Sequence, residues 1–187
     1  MDKFTRKYLL LAKTLAADNT ACASRKLGGV LVTEDNIPIT FGYNGSAKGL
    51  PHSDTDKWLD FVYDNLFSTE EKLLVGTKGG FIDRCEGKCP RRFLNIKSGK
   101  KLEYCNCSHL ERNLIFHAAY SGHSTKNSHM FIFSPLPCHE CAIACIQSGI
   151  KKIVCLKAEK DYSATSRKML EWAHIEIEEI NEKEINN

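Results

Sequence analysis

Two short segments carry the residue types that hold a transition metal and use it. Cys107-Ser108-His109-Leu110-Glu111-Arg112-Asn113 contains His-x-Glu, and Pro137-Cys138-His139-Glu140-Cys141 contains Pro-Cys-x-x-Cys. One imidazole and two thiolates suit Zn²⁺, and three protein ligands leave the fourth tetrahedral position for water, as in a catalytic site. Zinc lowers the pKa of its water toward about 7, and a nearby carboxylate can pass that proton to a substrate and its leaving group. His109, Cys138 and Cys141 are the expected ligands, and Glu111 is the expected proton shuttle. Cys138 and Cys141 stand three apart at an expected helix start, so both sulfurs face one side and the helix dipole favours their thiolates. On an ideal helix His109 and Glu111 diverge by about 200°, which predicts a pocket wrapped around the helix mouth. An inert thiol pair, a core or surface histidine and a solvated glutamate would account for each part separately but not for their joint occurrence.

The elements that must position these residues read as a layered α/β chain. Phe4, Tyr8, Leu11, Leu15 and Ala16 recur at helical spacing, predicting an amphipathic helix over 2–18 that ends near Asn19. GGVLVT at 28–33 and IPITFGY at 37–43 read as a hairpin, with Pro38 marking an edge strand. The remainder alternates: helix 109–121, strand 129–134, helix 138–148, strand 152–156, helix 163–173 and strand 175–179. Between Asn44 and Asn106 the pattern is irregular apart from a helix over 57–67, so one domain over 1–187 with a long inserted loop region at about 46–107 is expected. NEKEINN at the C-terminus reads as a polar, frayed tail.

Composition narrows the class. The 187 residues are 42% hydrophobic and 26% charged, enough for a sizeable core. No apolar run approaches the roughly 20 residues that span a bilayer, and the first residues alternate charge with apolar side chains, so a cytosolic protein without a membrane role is expected. In that setting nine cysteines point to metal ligands or reduced core thiols, not to a disulfide scaffold. A net charge of +3 is well below the footprint of a duplex-binding protein and compatible with a small phosphorylated ligand.

The ordered pair His-x-Glu and Pro-Cys-x-x-Cys is the signature of zinc deaminases that act on nucleobases. Around it the chain resembles the deoxycytidylate deaminase family of the cytidine deaminase superfamily. The resemblance runs through CASRKLGGVLV, Gly42-Tyr43-Asn44-Gly45 continued by SAKGLPH, CPRRFLNIKSGKKLEYC, and PCHECAIACIQSGIKKIV. It implies a three-layer α/β/α sandwich with a mixed five-stranded sheet and a homo-oligomer. It also implies conversion of deoxycytidine monophosphate to the deoxyuridine nucleotide for thymidylate supply, with dCTP and dTTP as effectors. By the same resemblance His109, Cys138 and Cys141 bind zinc, Glu111 shuttles protons and Asn44 contacts the substrate sugar. Two positions depart from the pattern: Leu110 stands where the family usually has alanine, and Ala47-Lys48 where it has Pro-Arg. Leu110 is expected to reshape the substrate pocket while its N–H still serves, and Lys48 keeps a charge without a bidentate fork. Arg25, Lys48 and Tyr162 are candidate phosphate contacts, with an ordinary surface role as the alternative for each.

Cys22, His52, Cys85, Cys89, Cys105 and Cys107 are left over by this reading. Some members of the family carry a second, structural zinc in comparable regions, and a closed site drawn from this set would pin the long insertion; plain thiols without metal are the alternative. Cys145 and Cys155 read as small buried hydrophobes. Two other functions compete. A deaminase acting on another cytosine nucleotide or on single-stranded nucleic acid would need a basic groove with stacking aromatics, for which Arg84, Lys88, Arg91, Arg92, Lys97, Lys100, Lys101 and Phe93 are the available residues. A catalytically silent zinc-bearing regulator would have no structural need for Glu111.

Overall fold

The computed structural model describes residues 1–18, 22–97, 99–158 and 163–185. Its chain divides into two compact units, the first made of 1–19, 27–43 and 109–187, the second of 20–26 and 44–108.

In the first unit, β1 (Gly28–Val32), β2 (Pro38–Tyr43), β5 (His129–Phe133), β6 (Lys152–Leu156) and β7 (Glu176–Ile180) form one sheet in the order β2-β1-β5-β6-β7. β1 runs antiparallel to both β2 and β5, whereas β5, β6 and β7 are parallel, so the sheet is mixed. The parallel strands are joined through helices, as parallel connections require. β2 is the edge strand that Pro38 predicts, and a register shift interrupts its pairing near Val32.

Helices cover both faces of this sheet. α1 (Lys3–Asp18) lays Tyr8 and Leu9 on Val30, Val32, Phe131 and Val154, while Ile185 of the short α9 (Glu182–Ile185) joins the same cluster. A Cβ on Gly28 would sit 2.2 Å from the Ala12 carbonyl oxygen, so only glycine lets α1 lie this close to β1. On the other face α6 (Leu110–Tyr120), α7 (His139–Gln147) and α8 (Ala164–Trp172) contribute Leu114, Ala118, Ala142, Cys145 and Leu170 to a core with Leu31, Met130, Ile132 and Ile153. The result is the expected three-layer sandwich. Cys145 and Cys155 are buried as small hydrophobes, and the Cys155 thiol is pushed up to about 12 by desolvation.

The second unit corrects the expectation of a long loop at about 46–107. α2 (Asp56–Asn65), α3 (Thr69–Val75), α4 (Lys78–Cys85) and the single turn α5 (Pro90–Phe93) fill it, with a two-stranded ribbon of β3 (Gly45–Ser46) and β4 (Cys107–Ser108). Local signals explain the helices. Ser68 and Glu71 form a reciprocal capping box on α3, Gly76 at φ 78° ends that helix, and Thr77 caps α4. Leu59, Val62, Phe67, Val75, Phe81, Cys85 and Tyr104 build a separate core, in which the Tyr104 hydroxyl donates to Glu71 at 2.6 Å. The helices are short and their apolar spacing is broken by glycines and charges, which is why periodicity alone finds only the first of them.

Candidate functional site

Two helix mouths in the first unit build the site. His109 is the N-cap residue of α6 and Cys138 the N-cap residue of α7, both with extended backbone (φ −69°, ψ 152° and φ −67°, ψ 168°). The extended N-cap backbone turns the side chain back over the first turn, so the N-cap and third helical positions meet. Cys138 and Cys141 are related in this way. It also corrects the predicted 200° divergence of His109 and Glu111, because His109 lies outside the helix and the rotation per helical residue does not apply to it.

His109 Nδ1 lies 3.4 Å from Cys138 Sγ and 3.5 Å from Cys141 Sγ. Bonds of about 2.3 Å to sulfur and 2.0–2.1 Å to nitrogen at tetrahedral angles place N and S about 3.5 Å apart. His109 Nδ1 thus stands from each sulfur at the length of a zinc tetrahedron's edge. Among the described residues this is the one group of three or more His, Cys, Asp or Glu donors within 4.8 Å of one another. Cys141 is buried at the base while His109 is exposed.

The electrostatics fit a metal seat. In the metal-free protein the Cys141 thiol donates to Cys138, which together with His109 draws the Cys138 thiol down to about 3. Cys141 is correspondingly held protonated by that hydrogen bond and by burial. The Cys138 sulfur raises the His109 pKa. Glu111, only 5% exposed, is raised above the ordinary carboxylate range, first by desolvation, and its carboxylate touches the Cys141 thiol. A buried carboxyl that takes up protons readily, next to the metal donors, is placed for proton transfer.

The other expected residues fall elsewhere. Leu110 is fully buried in the core cluster, with its Cδ1 3.1 Å from the place a Cβ on Gly29 would occupy. Asn44, Arg25 and Lys48 belong to the second unit, Asn44 buried and the other two exposed. Tyr162 lies outside the described residues. Of the leftover cysteines, Cys22, Cys89, Cys105 and Cys107 sense one another. A hydrogen bond from Cys107 draws the Cys105 thiol down to about 6, Cys107 is raised by its bonds to Cys105 and Cys22, and burial raises Cys89, which lies in the field of Cys105 and Cys22. Cys85 lies in the field of Cys89 but donates to the Lys88 carbonyl at 3.1 Å. The His52 backbone carbonyl accepts from Thr55.

Sequence reasoning passed over Asn113, which lies one turn into α6. Its side-chain amide donates to the Tyr43 carbonyl at 2.8 Å. Asparagine is a poor interior helix residue, and that is the signal that marks it in the sequence.

A helix-mouth trio of one imidazole and two thiols beside a buried glutamate, on a mixed five-stranded sheet, defines a zinc-site protein of cytidine deaminase-like fold. The chain belongs to the cytidine and deoxycytidylate deaminase family, whose zinc-binding region model matches residues 2–157. It is 29% identical over 181 residues to the deoxycytidylate deaminase of Enterobacteria phage T4, covering 92% of this chain and 88% of that protein. It is 26% identical over 147 residues to the deoxycytidylate deaminase of Schizosaccharomyces pombe, of which it spans only 35%. The crystal structure of the cyanophage S-TIM5 dCMP deaminase in complex with dCMP and dUMP superposes with a TM-score of 0.60 at 16% identity, over 96% of this chain and 99% of that one. That likeness establishes the fold.

Proposed function

We propose that the protein is a zinc-dependent hydrolase converting deoxycytidine monophosphate and water to deoxyuridine monophosphate and ammonia, in the supply of thymidylate. The observation that carries this reading is the buried Glu111 beside the His109, Cys138 and Cys141 donors, in a family whose phage and yeast members are deoxycytidylate deaminases. Zinc held by His109, Cys138 and Cys141 would supply Lewis acidity that makes water a nucleophile near neutral pH. Glu111 takes a proton from that water and passes it to the ring nitrogen beside the reacting carbon. The new carbon–oxygen bond replaces the bond to the amino nitrogen, and Glu111 delivers the second proton with which ammonia leaves. Asn44 holds the sugar, and Arg25 and Lys48 supply charge for the 5′-phosphate.

Deamination within a nucleic-acid strand is disfavoured by how the basic stretch is used. Arg84 donates to the Gly80 carbonyl, Arg91 to the Lys100 and Lys97 carbonyls, and Arg92 to Ser24. Phe93 packs edge-on against Phe81 at 5.5 Å. These side chains brace the second unit and do not line a stacking groove. Cys22, Cys89, Cys105 and Cys107, whose thiols act on one another, are proposed to hold a second, structural zinc in that unit, for which they would have to draw closer together than they stand. The family resemblance supports a homo-oligomer regulated by dCTP and dTTP. A cytoplasmic location accords with composition, and among the described residues no helix is long and apolar enough to cross a membrane.

The test is ammonia release from a panel of cytosine, deoxycytidine, the mono- and triphosphates and a cytosine oligonucleotide, with wild type and Glu111→Gln. Two charge-assisted phosphate contacts at roughly 1.5–3 kcal/mol each favour the monophosphate over the nucleoside by about 10²–10⁴ in kcat/KM. Glu111→Gln should keep zinc and fold while losing about 10²–10⁴ in turnover. Equal rates for nucleoside and monophosphate would reject the phosphate site, a faster oligonucleotide would favour strand deamination, and near-normal turnover by Glu111→Gln would remove the mechanism.

A further inference from the structure

The edge strand β2 leaves outward carbonyls that an open sheet edge would expose. In an antiparallel strand these belong to alternate residues, and here Phe41 and Tyr43 are such a pair. α6 occupies that edge. Asn113 donates to the Tyr43 carbonyl at 2.8 Å, and His117, one turn further along, bonds through Nδ1 to the Phe41 carbonyl at 3.4 Å. Between them, Leu114 closes on Gly42, where an added Cβ would lie 3.4 Å from Leu114 Cδ2. The helix that opens with His109 and Glu111 is thus fastened, residue by residue, to the end of β2.

The Tyr43 carbonyl is half of the peptide group that leads into Asn44. A peptide group is planar, so fixing its oxygen fixes the plane that also contains the Asn44 nitrogen and Cα. We propose that Asn113 is a positioning residue for nucleotide binding. By gripping the Tyr43 carbonyl, it fixes the peptide group through which the chain enters Asn44. The proposal rests on the reading that Asn44 contacts the substrate sugar. His117 grips the same edge two residues earlier, at a carbonyl that is not part of the Asn44 peptide, and so supports the sheet without aiming the loop.

The experiment is a set of steady-state measurements with deoxycytidine monophosphate on Asn113→Ala, His117→Ala, Asn44→Ala and Asn113→Ala/Asn44→Ala, with zinc content and thermal midpoint recorded for each. Removing one hydrogen bond that acts on binding should raise KM about five- to ten-fold in Asn113→Ala, with kcat and zinc content retained. His117→Ala should lower the thermal midpoint and leave KM unchanged. Asn44→Ala should raise KM, and the double variant should be no worse than Asn44→Ala alone, because Asn113 acts through Asn44. Additive effects in the double variant, an equal KM rise in His117→Ala, or a loss of kcat without a rise in KM would each overturn the proposal. If Asn44→Ala leaves KM unchanged, the sugar contact itself fails and the proposal goes with it. If Asn44→Ala raises KM and Asn113→Ala does not, the positioning role alone is wrong. Should Asn113→Ala fail to fold, Asn113→Ser, too short to reach the carbonyl, carries the same measurements.

Discussion

Leu110→Ala separates two roles for the residue between His109 and Glu111. If Leu110 shaped a nucleotide pocket, trimming it would alter substrate choice at little cost in stability. The structure places it wholly in the core, at zero exposure among Leu31, Leu114, Met130 and Ile132, with its Cδ1 over Gly29. Burying a leucine fully and then deleting it to alanine costs about 2–5 kcal/mol, because the lost transfer energy adds to that of the cavity left behind. A cost of about 3 kcal/mol is therefore expected, or roughly 6–12 °C in thermal midpoint for a chain of this size. The assay is urea and thermal unfolding with zinc at the same saturating concentration for both proteins, since a ligand of the native state stabilises by mass action. The kcat/KM ratio of deoxycytidine monophosphate to deoxycytidine should be unchanged. A stability loss under about 1 kcal/mol together with a shifted substrate ratio would refute the placement of Leu110 in the core.

Metal analysis should find about two zinc ions per chain, falling to about one in Cys89→Ser and Cys105→Ser; a value near one that neither substitution changes would dismiss the second site. Cys138→Ser should abolish turnover and lower zinc content by about one ion, because a serine hydroxyl does not replace a thiolate in the trio. His129 lies below its ordinary pKa, first through burial and then through Lys152 and Lys151, which outweigh Glu34 and Glu176. A histidine depressed in the fold binds more protons when unfolded, so stability should fall as pH drops from above about 6.5 toward the folded value, and His129→Gln should flatten that part of the urea-midpoint profile.

The sheet and its helices were legible because each element announces itself locally. Pro38 gave the edge, the β-branched run at 152–156 matched β6 residue for residue, and the helices before and after it followed from apolar spacing. The candidate donor trio could be picked out for a different reason: the chemistry is so restrictive that residue type and order suffice to propose it, and His109 Nδ1 stands 3.4 and 3.5 Å from the two sulfurs. What escaped depends on side-chain direction. Helical rotation misplaced His109, because a residue at an N-cap does not obey it. Leu110 was expected to reshape the pocket because it stands where the family usually has alanine, and periodicity did not show that the helix turns it into the core over Gly29. The helices of the insertion rest on caps such as Ser68 and Thr77, which short apolar patterns do not reveal.

The way the second unit interrupts the first has a consequence for how the chain matures on the ribosome. β1 pairs with β5, so Gly28 must wait for Phe133, and residues 44–108 of the second unit emerge in between. At about 5–20 residues per second, synthesis of 44–108 occupies roughly 3–13 s. That is long compared with the formation of local helices, which takes microseconds. The inserted helices, rich in local contacts, are free to fold during that interval, while the sheet stays an unpaired hairpin that exposes the strand face awaiting β5. His109 leaves next and Cys138 and Cys141 later still, so the proposed metal site can be completed only late in biogenesis.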